Sequence, residues 1–325
     1  MNASILVTRR IPTQGIEILK KYFTNVDVNP EDRPMSRKEI LDQVSGRDGV
    51  LCLLTDTIDE EVLDAACGVK IFANYAVGYN NIDVEAATQR KIMVTNTPGV
   101  LTNATADLTW SLLFAVARRI VESDRFTREG KFRGWGPMLF LGCELSGKTL
   151  GIIGAGRIGT AVALRSAGFG MKVIYVDKKR NKEIEERVGA ISVDMDFLLS
   201  RSDFVSIHVP LSPETHHLIS HRELGLMKKS SYLINTSRGP VIDEEALVVA
   251  LQRGTIAGAG LDVYENEPDI EPDLKRLNNV VLLPHIGSAT HEARTKMAVM
   301  AAENIVAGLK GERPPNLINP EVLER

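Results

Sequence analysis

The chain has 325 residues, of which 44% are hydrophobic and 25% charged, and its formal net charge at pH 7 is −3. This length predicts two domains, and a charge close to zero without long runs of one sign argues against nucleic acid or a charged membrane surface as a partner. The three cysteines are scattered, which argues against disulfides and against a metal site.

An apolar run begins at Ile5, which leaves no room for a signal peptide, and no apolar segment reaches transmembrane length. We therefore expect a cytoplasmic protein that acts on small molecules.

The first 98 residues alternate short β-rich runs with helical patterns. Strands are predicted at Ile5 to Val7, Val26 to Val28, Gly49 to Leu54 and Ile71 to Tyr75, and capping residues Ser36 and Asp59 begin two of the helices. Such alternation predicts a parallel sheet. Since ligands of parallel sheets bind beyond the carboxyl ends of the strands, the loops that begin at Leu53 and Ala76 are candidate binding loops.

A long helix is predicted from Thr102 to Val121, followed by a segment rich in glycine and proline as far as Gly142. Exposed aromatic side chains in that segment, Trp135 and Phe140, suggest a dimer contact, with packing on their own subunit as the alternative. A second long helix is predicted from Ala289 to Leu309.

A glycine-rich turn lies between two apolar runs in the second half of the chain. Gly154-Ala155-Gly156-Arg157-Ile158-Gly159 follows the predicted strand Thr149 to Ile153 and opens a helix. The three glycines match the spacing of a dinucleotide-binding turn: Gly154 for a sharp exit from the strand, Gly156 for close approach of a pyrophosphate, and Gly159 for close packing of the helix on the sheet. The phosphates would lie at the helix N-terminus, beside Arg157 and Ile158.

Asp177 ends the next apolar run, where a carboxylate can accept hydrogen bonds from the adenosine ribose of NAD(H) and repel the 2′-phosphate of NADP(H). The residues that follow, Lys178, Lys179 and Arg180, can attract that phosphate, so NADP(H) stays open as the alternative.

Polar residues follow three further predicted strands. Arg238 comes after the run at Tyr232, Asp262 and Glu267 after the run at Ile256, and His285 after the run at Val280. Because the carboxyl ends of parallel strands share one edge of a sheet, these groups are expected to converge beside the nicotinamide. There Arg238 can hold a substrate carboxylate, His285 can donate a proton, and Glu267 can orient the imidazole, which suits reduction of a 2-keto acid.

Together these segments resemble the D-isomer-specific 2-hydroxyacid dehydrogenase family over essentially the whole chain. The matching motifs, in order, are the glycine turn, Asn235-Thr236-Ser237-Arg238-Gly239, Gly260-Leu261-Asp262-Val263, Glu267-Pro268 and Pro284-His285-Ile286-Gly287-Ser288. The resemblance implies an α/β fold with two doubly wound domains, in which a Rossmann-type nucleotide domain (residues 101–286) is inserted in a flavodoxin-like substrate domain (residues 1–100 and 287–325).

The resemblance also implies roles for individual residues. Arg238, Glu267 and His285 would be catalytic, and the substrate would in addition meet Leu53 and the backbone N–H groups of Val77 and Gly78. The cofactor would contact, besides the glycine turn and Asp177, a set of residues at the strand ends: Thr105, His208, Pro210, Thr236, Asp262 and Gly287. A homodimer is what the family implies. The other histidines, His216, His217, His221 and His291, are interpreted as structural.

Within the family, Ala76 to Asp83 and Gly130 to Trp135 look most like the glyoxylate/hydroxypyruvate reductases, with Asn80 as a departure where aspartate is common. Asp177 departs from the NADPH-preferring reductases, so NAD(H) is favoured. Three alternatives share the fold: a phosphite dehydrogenase, a D-3-phosphoglycerate dehydrogenase, and a non-enzymatic NAD-sensing protein similar to the C-terminal-binding corepressors. Formate dehydrogenases pair their histidine with glutamine, so Glu267 argues against them.

Overall fold

The computed structural model describes residues 1–324, which form two compact units. One comprises Met1–Leu101 together with the segment that begins at Ala289, and the other is Thr102–Ser288. The function of each unit, and the domain limits expected from the sequence, stay predictions.

Twelve strands and twelve α-helices make up these units. The strands are β1 (Ser4–Val7), β2 (Asn25–Val28), β3 (Gly49–Cys52), β4 (Ile71–Asn74), β5 (Met93–Thr95), β6 (Thr149–Ile153), β7 (Lys172–Val176), β8 (Ile191–Ser192), β9 (Phe204–Ile207), β10 (Tyr232–Asn235), β11 (Gly258–Leu261) and β12 (Val280–Leu282). The helices are α1 (Thr13–Tyr22), α2 (Arg37–Val44), α3 (Glu60–Ala65), α4 (Val84–Gln89), α5 (Thr102–Ala117), α6 (Ile120–Arg128), α7 (Arg157–Arg165), α8 (Lys182–Val188), α9 (Met195–Arg201), α10 (His221–Leu226), α11 (Glu244–Gln252) and α12 (His291–Leu309).

The first unit contains a five-stranded parallel sheet in the order β2-β1-β3-β4-β5, which is the flavodoxin-like order expected from the sequence. Strands β3 and β4 are buried along their whole length, as in a sheet covered on both faces. The predicted capping residues are confirmed, since Ser36 accepts a hydrogen bond from Glu39 N and Asp59 accepts one from Val62 N.

The second unit contains a seven-stranded parallel sheet in the order β12-β11-β10-β9-β6-β7-β8. Read from β8, this is the dinucleotide-binding order 3-2-1-4-5-6 with one strand added. Neighbouring residues of one strand belong to different core clusters: Ile152 packs in one and Ile153 in the other. Because successive strand side chains point to opposite faces, both faces of this sheet are covered. The expected Rossmann-type α/β architecture is confirmed.

The predicted helix from Thr102 to Val121 is wrong at its C-terminal end. Helix α5 ends at Ala117, and α6 begins at Ile120 after Arg119, whose φ of 54° lies in the left-handed region. The Ala117 carbonyl instead accepts a hydrogen bond from Cys143 N (2.8 Å), so a distant segment satisfies the end of the helix.

The two aromatic side chains of the glycine-rich segment differ in environment. Phe140 packs edge-to-face on Phe126 of its own chain, with ring centroids 5.1 Å apart, whereas Trp135 is 86% exposed. Within residues 1–324, no helix is both long enough and apolar enough to cross a bilayer. All three cysteines are free thiols.

Candidate active site

Three polar side chains follow the ends of three adjacent strands in the second unit. Arg238 follows β10, Glu267 follows β11, and His285 follows β12; these strands are neighbours and parallel. Their carboxyl ends therefore lie at one edge of the sheet, the position at which open parallel sheets bind ligands.

His285 and Glu267 form a direct pair, with 2.7 Å between Nδ1 of the imidazole and Oε2 of the carboxylate. Since a carboxylate only accepts, Nδ1–H donates and Nε2 is left to face a ligand. Burial alone would raise the pKa of Glu267, but the hydrogen bond and charge of His285, the Tyr264 N–H and the charge of Arg238 outweigh it and lower that pKa. Glu267 is thus an anion held against the imidazole.

The turn that carries His285 is fixed by Asp262. His285 has a φ of 53°, a left-handed conformation that is uncommon outside glycine. The next two backbone N–H groups, of Ile286 and Gly287, each donate to one oxygen of Asp262 at 2.7 Å. Thr105 donates its hydroxyl to the Gly287 carbonyl at 3.1 Å. Asp262, Thr105 and Gly287, three predicted cofactor residues, therefore lie together beside His285.

Arg238 is presented by a short turn organised by Asn235, which is 1% exposed. Asn235 donates to the Arg238 carbonyl at 2.9 Å and accepts from Ser237 N at 2.9 Å. Burial lowers the pKa of Arg238, and the Glu267 charge opposes that change. Because a guanidinium keeps its proton in proteins, the half-buried cation of Arg238 lies near the anion of Glu267, which is paired with His285.

The glycine turn fits the phosphates of a dinucleotide. Gly154 has a φ of 92°, and a Cβ there would come within 2.8 Å of the His208 carbonyl carbon. A Cβ on Gly159 would lie 2.0 Å from the Gly154 carbonyl oxygen, whereas a Cβ on Gly156 would meet nothing within 4 Å. The bare backbone at Gly156 therefore faces open space at the N-terminus of α7, where Arg157 is exposed and Ile158 packs on the core.

Asp177 lies against this turn. Its Oδ2 accepts a hydrogen bond from Ala155 N at 2.7 Å, and its Oδ1 accepts one from Lys179 N at 3.1 Å. Each carboxylate oxygen has a second lone pair for a ribose hydroxyl. Of the basic residues that follow, Arg180 pairs with both oxygens of Glu185, at 3.0 and 2.9 Å. Arg180, whose forked guanidinium fits a 2′-phosphate best among these basic residues, is thus already paired with Glu185.

The remaining predicted cofactor residues lie at the carboxyl ends of β9 and β10. Burial lowers the pKa of His208 to about 3, so its ring is neutral, and its Nε2 lies 2.8 Å from Ser206 Oγ. Pro210 is exposed, and the Thr236 hydroxyl lies 2.9 Å from that of Thr109 in a buried position.

The predicted substrate residues Leu53, Val77 and Gly78 lie in the first unit, in the loops after β3 and β4. Among residues 1–324, no acceptor takes a hydrogen bond from the N–H of Val77 or of Gly78, and both residues are partly exposed. Two such N–H groups in sequence suit a carboxylate ligand.

A pair of asparagine side chains that the sequence analysis missed ties these two loops together. Asn74 donates to the Gly78 carbonyl and to Asn81 Oδ1, both at 3.0 Å. Asn81 in turn donates to the carbonyls of Leu53 (3.1 Å) and Asp56 (3.0 Å). Asn74 is fully buried at the end of a strand, a position that is usually apolar, and this was the available signal in the sequence.

Residues 110–287 match the family model for the NAD-binding domain of D-isomer specific 2-hydroxyacid dehydrogenases. The chain belongs to this family. A glyoxylate reductase of Thermococcus litoralis is 54% identical over 327 aligned residues, which cover 99% of this chain and 98% of that protein. The enzyme class expected from the sequence is therefore confirmed: the protein is a D-2-hydroxyacid dehydrogenase with a nicotinamide-binding domain.

Two solved structures extend the likeness to the fold. A Thermus thermophilus protein superposes with a TM-score of 0.90 at 45% identity, covering 97% of this chain and 99% of that one. An NADPH-dependent glyoxylate/hydroxypyruvate reductase of Sinorhizobium meliloti, in complex with NADP and malonate, superposes with a TM-score of 0.87 at 31% identity, covering 99% and 98%.

Proposed function

We propose that the protein reduces a short 2-keto acid, glyoxylate or hydroxypyruvate, to the D-2-hydroxy acid. The observation that carries the proposal is the 2.7 Å pair of His285 and Glu267, which lies beside Arg238 at the carboxyl edge of a nucleotide-binding sheet. The name of the Thermococcus relative, a glyoxylate reductase, supports the choice of substrate.

Each catalytic residue has one task in this proposal. A bound nicotinamide supplies the hydride. Arg238 holds the substrate carboxylate and polarises the keto oxygen through its two-pronged donor geometry. His285 gives the proton on Nε2 to the keto oxygen as that oxygen becomes a hydroxyl. Glu267 stabilises the imidazolium before the proton is transferred, and it fixes the ring through Nδ1. The N–H groups of Val77 and Gly78, with Leu53 beside them, bind the substrate carboxylate.

We assign the nucleotide to residues 101–286 and the substrate loops to residues 1–100 and 287–325. Thr105, Thr236, Asp262 and Gly287 face the nicotinamide end in this assignment, and His208 and Pro210 face the adenosine. NADH is the preferred cofactor because the Asp177 carboxylate repels a 2′-phosphate, although the Sinorhizobium relative is named as NADPH-dependent.

A homodimer is the assembly we propose. The segment after α6 exposes five large apolar side chains: Phe132, Trp135, Met138, Leu139 and Leu141. An apolar group of this kind is costly in water and typical of an interface. Sedimentation velocity of the wild-type chain and of a Trp135→Lys, Met138→Lys variant tests this: the wild type should sediment as a dimer and the variant as a monomer.

The substrate proposal is tested by following the loss of reduced-nicotinamide absorbance at fixed enzyme concentration. Glyoxylate, hydroxypyruvate, pyruvate and phosphohydroxypyruvate are each offered with NADH and with NADPH. Fast turnover of the first two with NADH is the expected result. Preference for phosphohydroxypyruvate would favour a phosphoglycerate dehydrogenase, and inactivity with all four, together with NAD⁺-dependent oxidation of phosphite, would favour a phosphite dehydrogenase.

A further inference from the structure

Two histidines and a glutamate form a second polar cluster, separate from the catalytic residues. One potential ligand atom from each of His216, His217 and Glu265 lies within 4.8 Å of the other two. His217 Nε2 is 2.6 Å from Glu265 Oε1, and the two imidazole rings stack with centroids 4.1 Å apart. The residues are distant in sequence, and the cluster exists only because the fold joins two loops.

The histidine turn is held in place by its backbone. His216 N donates to the Ser212 carbonyl at 2.9 Å, and His217 N donates to the Pro240 carbonyl at 2.8 Å. His217 adopts a left-handed conformation, with φ of 48°, which is uncommon for residues other than glycine. This conformation sets two consecutive imidazoles side by side, although consecutive side chains in extended backbone point apart.

The glutamate is also positioned before any ligand arrives. Glu265 N donates to Glu244 Oε1 at 2.9 Å, and Glu265 Oε2 accepts from Glu244 N at 3.3 Å. These bonds leave Oε1 directed at His217. Outer contacts that orient a ligating carboxylate in this way are a common part of metal sites.

The surroundings carry an excess of negative charge. The carboxylates of Glu244 and Glu265 lie close together, because each accepts a hydrogen bond from the backbone N–H of the other residue. A divalent cation would offset the repulsion among these carboxylates.

We propose that His216, His217 and Glu265 bind a divalent ion of the zinc type. Two imidazoles and one carboxylate are a common ligand set for Zn²⁺, and also suit Co²⁺ and Ni²⁺. Bonds of about 2.0–2.2 Å would draw the three ligand atoms closer than they lie in the structure. The side chains of His217 and Glu265 are 37% and 23% exposed, which gives them room to rotate and lets water complete the coordination. The sequence analysis expected no metal site, and this proposal departs from that expectation.

The ion would join the loop that carries Glu267 to the histidine turn, which in turn contacts the loop that carries Arg238. Glu265 lies two positions before Glu267, and Tyr264 N donates to Glu267 Oε1 at 3.0 Å. Pro240, which accepts from His217 N, lies two positions after Arg238. Occupancy should therefore stabilise both loops and raise the melting temperature, because a ligand that binds only the folded chain shifts the folding equilibrium toward it.

The experiment uses tag-free protein that has been treated with EDTA and dialysed. The protein is titrated with Co²⁺, and binding is monitored by visible absorbance. It is then titrated with Zn²⁺, and binding is measured by calorimetry and by thermal unfolding. One ion per chain and a higher melting temperature are expected. His216→Gln and Glu265→Gln should each weaken Co²⁺ binding by at least about tenfold, which is the effect of losing even an outer contact at a metal site. His217→Asn should do the same, and asparagine tolerates the left-handed backbone.

His291→Gln is the matched control, because His291 is an exposed histidine at the start of α12 in the other unit. It should bind Co²⁺ as the wild type does, and far-UV circular dichroism checks that every variant is folded. Absence of Co²⁺ and Zn²⁺ binding to the wild type would overturn the proposal. So would equal binding by the wild type and all three ligand variants, which would identify an adventitious ion only.

Discussion

Replacing Glu267 with glutamine tests the role of the anion beside His285. The substitution keeps the shape of the side chain and removes its charge. In the wild type the lowered pKa of Glu267 means that the carboxylate stays ionised throughout the range in which a dehydrogenase is assayed. A pH dependence of the rate between about pH 5 and 9 would therefore report the protonation of the His285–Glu267 pair, not ionisation of Glu267 alone.

The size of the effect follows from the contact. A hydrogen bond to a charged group contributes about 1.5–3 kcal/mol and a neutral one about 1 kcal/mol. Loss of the charge across the 2.7 Å contact therefore disfavours the protonated pair by about 0.5–2 kcal/mol. Because one pH unit corresponds to about 1.4 kcal/mol, the fall in reduction rate with rising pH should move about one unit lower.

Steady-state reduction of glyoxylate by NADH, measured from about pH 5 to 9, gives this profile. At a pH above the transition, kcat/KM of Glu267→Gln should be about tenfold lower than that of the wild type, and part of the loss should be recovered in acid. Asp269→Asn is the matched control, since Asp269 is an exposed acid two residues further along the same loop. A Glu267→Gln profile that coincides with those of the wild type and the control would refute the proposed role.

Three further predictions concern the cofactor and substrate loops. Asp177→Asn retains an acceptor for Ala155 N but loses the negative charge. The ratio of kcat/KM for NADH to kcat/KM for NADPH should therefore fall by about tenfold. An unchanged ratio would contradict the proposed repulsion of the 2′-phosphate. Asn81→Ala removes two hydrogen bonds to the loop after β3, each worth about 1 kcal/mol. KM for glyoxylate should therefore rise about tenfold, while KM for NADH stays within about twofold. Equal changes in the two KM values would argue against a local effect. Gly159→Ala places a Cβ 2.0 Å from a carbonyl oxygen. It should lower the free energy of unfolding, measured in urea, by about 1–3 kcal/mol and should weaken NADH binding. Gly168→Ala is the control and should have neither effect, because a Cβ at Gly168 meets open space.

Much of the fold follows from patterns that are local in sequence. Apolar runs of strand length, separated by helical segments, predict parallel sheets, and the spacing of Gly154, Gly156 and Gly159 predicts the turn after β6. The capping residues Ser36 and Asp59 are likewise local, because each bonds to a backbone N–H three residues on.

The features that the sequence analysis missed depend on distant segments. Apolar spacing continues from Leu113 through Val116 to Ile120, so periodicity does not reveal that α5 ends at Ala117. The interruption coincides with a hydrogen bond from Cys143, a partner that no local pattern identifies.

The residues of the candidate site also fall into two groups, those that the sequence indicates and those that only the folded structure shows. Residues with chemically distinctive side chains, such as His285 and Arg238, are identified by their position after strands. Asn235 and Asn81 act through backbone contacts in their surroundings, which only the folded chain displays. The pairing of His217 with Glu265 joins residues 48 positions apart and is invisible to motif spacing.

The most direct test of the proposed reaction replaces the proton donor and measures chemistry and cofactor binding separately. His285→Asn is suited to this, because asparagine adopts the left-handed backbone found at this position while lacking the imidazole. Rapid mixing of preformed enzyme–NADH complex with saturating glyoxylate should show a hydride-transfer rate at least about a hundredfold below that of the wild type, with NADH affinity within about twofold. A variant that binds NADH normally and reduces glyoxylate at the wild-type rate would contradict the assignment of His285 as the proton donor.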